Sequence, residues 1–382
     1  LSALRKNWKQ EGNVFDMRVL ILSCNTGEGH NSAGRAIKEY FTAQGIPCEM
    51  TDALSFGSPA YEQIITKGHV FVYRNMPRLF GAGYRLEEKY PPKSFYKKMA
   101  KGAPGLYDFI QSGGYDTVVC SHIFAAMMLT ECKRQFSSDV SSYLLVTDYT
   151  CSPGANMLDM DAYFIPHELL AAEFADNGVD AARIVPSGIP VSQRFFSKKP
   201  KELSRRELNI SENADVVLLS SGSMGCGPVD ELARCLLRSL GSNAQLCVVC
   251  GSNRRLYAEL EPLTKDKRLS LSGFTPKMFD YMNSADVYIT KAGGLSTTEA
   301  VTVGVPLIFM DAVPGCESYN LSFMTENGCA VTADNVEGIA ALTCDILKNK
   351  EKALEAFLKG REKIVKNGAE NVYNYIIGRH GR

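Results

Sequence analysis

Leu20-Ile-Leu-Ser-Cys-Asn-Thr-Gly-Glu-Gly-His30 is a short apolar run that breaks into a glycine-rich turn ahead of an amphipathic stretch of helical length. Val217-Leu-Leu-Ser-Ser-Gly-Ser-Met-Gly-Cys-Gly227 repeats the pattern in the second half of the chain. Strand, glycine turn and helix form the opening unit of a parallel α/β sheet, so two openings imply two sheets. Further apolar runs predict strands at residues 117–121, 142–147 and 162–165 after the first at 17–23, then at 216–220, 246–250, 287–290 and 306–309. The fold class is α/β, with two Rossmann-like domains facing across a cleft in which a ligand binds. A length of 382 residues suits two lobes. The expected boundaries are 17–197 for the first domain and 198–360 for the second, with a C-terminal helix at 361–382 packing back on the first.

Lys plus Arg equals Asp plus Glu at 42 each, so no global charge points to nucleic acid. The twelve cysteines are scattered through apolar runs, which reads as buried thiols in a reducing compartment. Cys247 and Cys250 have metal-knuckle spacing, yet in a β-like run they face opposite sides, and no zinc is expected there. No apolar stretch approaches the roughly 20 residues that span a bilayer. Residues 1–16 are polar and lack the apolar core of a signal peptide, so a cytoplasmic protein is expected.

Charge is uneven between residues 71 and 101. Eight basic side chains (Arg74, Arg78, Arg85, Lys89, Lys93, Lys97, Lys98, Lys101) stand against Glu87 and Glu88, with seven aromatics interleaved. That mixture suits the headgroup layer of an anionic membrane. It equally suits a solvated helical face whose aromatics enter the core.

Three places offer chemistry. The turn Gly222-Ser-Met-Gly-Cys-Gly227 precedes a helix around residues 231–240, where backbone amides can hold a phosphate; a tight strand-to-helix turn wants the same glycines. Lys291-Ala-Gly-Gly-Leu-Ser-Thr-Thr-Glu-Ala300 ends a strand in a glycine pair and places Glu299 in the first turn of a helix. Glu299 is there either a ribose ligand or, with Ser296, half of a capping box. His30 and Asp148 each lie just past a strand and are the candidate general bases. Asp159-Met-Asp161 imitates a metal-binding Asp-x-Asp pair, but Asp161 leads straight into a strand and no partner cluster accompanies it.

Together with Tyr115-Asp-Thr-Val-Val-Cys-Ser-His122, Val146-Thr-Asp-Tyr-Thr-Cys-Ser-Pro153, Ser272-Gly-Phe274, Gly304-Val-Pro306 and Val313-Pro-Gly-Cys-Glu-Ser-Tyr-Asn320, these motifs resemble one family. It comprises the monogalactosyldiacylglycerol synthases and processive diacylglycerol glucosyltransferases, of glycosyltransferase family 28, related to the N-acetylglucosaminyltransferase of peptidoglycan lipid synthesis. The resemblance runs from Met17 over nearly the whole chain. It implies a GT-B fold, a UDP-sugar as donor and diacylglycerol as acceptor, with no obligatory metal or other cofactor. It implies donor contacts at Gly222, Ser223, Met224 and Gly225, at Phe274 for the uracil, at Gly293, Gly294, Leu295 and Ser296, at Glu299 for the ribose, and at Glu317 and Asn320 for the hexose. On the acceptor side it implies Gly27, Gly29, His30 and His122, with Arg85, Lys93, Lys97 and Lys98 on the cytoplasmic face of an anionic membrane. Two departures stand out: Ser152-Pro153-Gly154-Ala155 where many relatives carry His-Pro and a nearby Trp, and Cys316 where relatives often have Gln. Alternatives within this frame are transfer of N-acetylglucosamine to a polyprenyl lipid and epimerisation of a UDP-sugar.

Overall fold

The computed structural model describes residues 17–57, 68, 71–72, 76–90 and 93–380. The described residues form two parallel six-stranded sheets, each in its own compact unit. The first sheet holds β1 (Val19–Ser23), β2 (Cys48–Asp52), β3 (Thr117–Cys120), β4 (Ser141–Leu145), β5 (Ala162–Ile165) and β6 (Ile184–Pro186), in the order β2-β1-β3-β4-β5-β6. The second holds β7 (Asp215–Ser220), β8 (Ala244–Val249), β9 (Leu269–Ser272), β10 (Val287–Lys291), β11 (Leu307–Asp311) and β12 (Val331–Thr332), in the order β12-β11-β10-β7-β8-β9. The two sheets are thus not copies. The second has the dinucleotide-fold order, and the first has a single strand, β2, beyond its opening strand.

Each sheet reverses its strand order once, between β1 and β3 and between β7 and β10, and ligands of such sheets bind beyond the carboxyl ends of the strands at that point. The central strands are continuous apolar runs because both faces are covered: every residue of Val19–Ser23 is buried. The helix Glu28–Ala43 lies close on β1 because Gly34 has no side chain; a Cβ there would sit 2.9 Å from Ile21 Cγ2. That approach fixes the start of the helix, and with it His30.

The first unit ends at Ser192 and regains the chain after Val365. The last helix, Gly368–His380, packs Tyr373 on Tyr40 and Phe41 at ring distances of 5.5 and 5.2 Å. Asn371 Nδ2 also donates to the Ser187 carbonyl at 2.8 Å. In the second unit Asp286 ties the sheet to its helices, accepting from Val216 N at 2.8 Å, Lys201 Nζ at 2.6 Å and Arg205 at 3.0 Å.

Candidate active site

In the first unit three strand ends converge on His30. The helix Glu28–Ala43 begins immediately after the Thr26-Gly-Glu-Gly turn, so His30 sits in its first turn, half-buried. Its Nδ1 lies 3.0 Å from the Ser121 carbonyl at the end of β3 and 2.9 Å from Thr147 Oγ1 just past β4. A carbonyl only accepts, so the ring proton is on Nδ1 and the lone pair is on Nε2. Burial pushes the imidazole below the ordinary histidine value, and the Asp148 charge and the Ser121 carbonyl only partly oppose this. The result is a neutral imidazole at neutral pH with one basic nitrogen. Asp148 therefore meets His30 electrostatically. His122, the other histidine here, caps the helix Ile123–Phe136 by accepting from Phe124 N at 3.1 Å, and its ring meets that of His30 at 4.3 Å. Ser121 and Thr147, which hold His30, carry no signal in the sequence beyond standing at strand ends.

Gly27, the N-cap of the His30 helix, has extended backbone and open space where a Cβ would be, so its conformation does not demand glycine. Gly29 lies within the first turn.

In the second unit the Gly222–Gly227 turn does demand its glycines. Gly222, Gly225 and Gly227 have φ of 64°, 58° and 91°, and a Cβ on Gly225 would sit 2.4 Å from the Cys250 carbonyl. The loop after β8 clamps this turn: Ser252 N donates to Ser223 O at 2.8 Å and Asn253 Nδ2 to Gly225 O at 2.7 Å. Met224 is half-buried on the same turn. The helix that follows, Val229–Ser239, carries Asp230 and Glu231 in its first turn, so its dipole is already complemented by carboxylates.

The helix after β10 differs. It runs Gly294–Val303 with Gly293 as N-cap and no capping side chain, and its first turn holds no acid. This corrects the capping-box reading. Ser296 Oγ donates back to Gly293 O at 3.3 Å, and Glu299 lies in the second turn because the helix starts at the second glycine rather than at Leu295-Ser296. Glu299 is half-buried, on the side of the fully buried Tyr288, whose hydroxyl is pushed up to about 12 chiefly by burial. Leu295 and Ser296 are half-buried, and Gly294 is buried.

Under the glycine pair lies an ion pair that sequence reasoning did not anticipate. Lys291, the last residue of β10, pairs with Glu317, and both side chains are almost wholly enclosed. A Cβ on Gly293 would lie 3.4 Å from Lys291 Nζ and 3.7 Å from Glu317 Oε1, and one on Gly222 would lie 3.3 Å from Lys291 Cε. Burial opposes the Lys291 charge, but the Glu317 carboxylate more than offsets it, so the ammonium is held above its ordinary value. Glu317 also accepts from Val313 N at 3.0 Å, and Asn320 Nδ2 donates to Ala292 O at 3.0 Å, which binds the helix Cys316–Glu326 to the glycine pair. Phe274, beyond the end of β9, is 68% exposed.

The Asp-x-Asp carboxylates have local partners: Asp159 pairs with Arg183 at 2.9 Å, and Asp161 accepts from Ser142 and faces Lys133 at 3.6 Å. Cys247 and Cys250 are buried thiols. In the basic segment, Arg85 is exposed on the helix Pro77–Lys89 beside Leu86 at 59% and Tyr90 at 70% exposure, while Lys97 and Lys98 are exposed on the helix Lys93–Met99. Tyr96 is buried, so the aromatics divide between surface and core. The side chain of Lys93, together with Tyr73 and Arg74, lies outside the described residues. No described helix is long and apolar enough to cross a membrane.

Residues 30–191 match the family model for monogalactosyldiacylglycerol synthase, and residues 216–372 match the C-terminal domain of glycosyltransferase family 28. A processive diacylglycerol beta-glucosyltransferase of Bacillus pumilus is 25% identical over 371 residues, 94% of each chain. Among solved structures, MurG of Acinetobacter baumannii superposes with a TM-score of 0.63 at 16% identity over 95% of this chain and 99% of that one. The Anabaena protein Alr3699/HepE in complex with UDP gives 0.58 at 12% identity over 95% and 100%. These superpositions establish the GT-B fold.

Proposed function

As a member of glycosyltransferase family 28 whose N-terminal half is of the monogalactosyldiacylglycerol synthase type, this chain is a UDP-sugar-dependent hexosyltransferase, and we propose that it moves galactose or glucose onto diacylglycerol with inversion. The observation that carries the chemistry is the fixed tautomer of His30, which leaves Nε2 as a base. Nε2 takes the proton of the lipid hydroxyl, the hydroxyl oxygen attacks the anomeric carbon, and the bond from that carbon to UDP breaks. Asp148 stabilises the imidazolium that forms.

The leaving diphosphate needs positive charge. The Lys291 ammonium, held by Glu317, contributes to it together with the uncapped amides and dipole of the helix Gly294–Val303, and the reaction needs no resident metal. Glu299 takes the ribose, Phe274 the uracil side, and Glu317 with Asn320 the hexose hydroxyls, with Glu317 holding Lys291 in place. The exposed Arg85, Leu86, Tyr90, Lys97 and Lys98 dock the enzyme on an anionic membrane, where the acceptor resides.

The test is the product. Incubation with UDP-glucose or UDP-galactose and diacylglycerol is expected to yield a glycosyl diacylglycerol with the β-anomeric coupling in its proton spectrum. An α-anomer would contradict inversion, and glycosylation of a polyprenyl phosphate alone would contradict the acceptor.

A further inference from the structure

The twelve cysteines are all thiols, and most are sealed in the two cores. Burial pushes Cys48, Cys151 and Cys247 up to about 12 and Cys132, Cys250 and Cys329 up to about 11, so these are inert. Cys226, Cys316 and Cys344 are the three that are only half-buried. Two of them share a neighbour. Cys226 belongs to the Gly222–Gly227 turn, against which Lys291 Cε packs, and Cys316 precedes Glu317, the partner of Lys291. Both thiols lie within electrostatic reach of the Lys291 ammonium. Cys316 is also the first residue of the helix Cys316–Glu326, where the dipole favours a thiolate. Cys344 instead lies on the helix Val336–Lys348, its Sγ 3.6 Å from the Ser239 carbonyl.

We propose that Cys226 and Cys316 form a reactive thiol pair at Lys291, a modification site for small-molecule disulfides and alkylating agents, and that modifying it closes the nucleotide-sugar site. In the exchange with a disulfide, the cysteine thiolate bonds to one sulfur, the S–S bond breaks, and the departing thiolate takes up the proton that the cysteine released. The added group occupies the ground between the glycine turn and the glycine pair, and it removes negative charge that would help hold Lys291. The inference rests on reading these loops as the donor site.

Limiting iodoacetamide at pH 7, followed site by site by mass spectrometry on the full chain, tests it. Cys226 and Cys316, beside the Lys291 ammonium, should react roughly tenfold faster than Cys344. The modified chain should bind UDP at least about tenfold more weakly, and UDP should slow both reactions while leaving Cys344 unaffected. Lys291→Met should slow the pair, with an unchanged Cys344 rate reporting that the variant is folded. Equal rates at all three thiols, or a modified chain that binds UDP as before, would overturn the proposal while leaving the donor site intact. An unmodified chain that fails to bind UDP would overturn the donor-site reading itself.

Discussion

His30 and His122 meet edge to face with ring centroids 4.3 Å apart, and they carry their protons on opposite nitrogens. His30 donates from Nδ1 to the Ser121 carbonyl, whereas His122 accepts on Nδ1 from Phe124 N and so is protonated on Nε2. One ring has its basic nitrogen available, and the other spends its own on a helix cap. His30→Ala should therefore lower kcat by about 10² or more, with UDP affinity unchanged. His122→Asn, which keeps a capping side chain, should cost far less in kcat. Steady-state kinetics with a UDP-binding measurement checks both, and equal losses would remove the distinction.

The pH dependence follows from the same imidazole. Burial holds His30 below its ordinary 6.5, so it is neutral at pH 7 and active. The acid limb of the kcat profile should break below pH 6.5 and then fall about tenfold per pH unit. The sign for stability is the same: the unfolded chain binds a proton that folded His30 refuses. The His30 contribution is thus fully present above pH 6.5 and is lost as pH falls below it. Comparing the chain with His30→Gln by thermal unfolding at pH 7.5 and 5.5 isolates this. An equal loss in both proteins would assign it elsewhere.

Lys291 and Glu317 form an almost wholly enclosed pair, so breaking it leaves a charge without its counterion. Lys291→Met and Glu317→Leu should each cost about 3 to 5 kcal/mol of stability, and the double variant should recover much of that. UDP-sugar binding should not recover in the double variant, because the proposed phosphate and hexose contacts are gone. Denaturant unfolding and titration with UDP-sugar, run on all three, separate support for the fold from ligand binding.

Gly225 and Gly27 look equivalent as motif glycines but differ in space. Gly225→Ala places a left-handed alanine 2.4 Å from the Cys250 carbonyl, so it should weaken UDP binding about tenfold or more through the displaced turn. Gly27→Ala meets extended backbone and open space, and its melting temperature should match the parent. A Gly225→Ala chain with parental UDP affinity would remove that turn from the donor site.

The inner strands are legible in the sequence and the four edge strands are not, for one physical reason. Strands such as Val19–Ser23 are covered on both faces and read as continuous apolar runs. Cys48–Asp52, Ile184–Pro186, Leu269–Ser272 and Val331–Thr332 pair on one side only and are short or polar, so nothing in their composition separates them from loops. The glycine turns and His30 were legible because they follow inner strands. The helix start at Gly294 was not, since a Ser-x-x-Glu pattern imitates a cap wherever it falls. Nor was the Lys291–Glu317 pair, whose partners lie on different elements and are joined only by the fold.

The most direct test of the central claim is UDP release from UDP-glucose and UDP-galactose, with and without diacylglycerol in anionic vesicles. Release is expected to require diacylglycerol and to fall by about 10² or more in His30→Ala. Release that proceeds equally without diacylglycerol would contradict the claim.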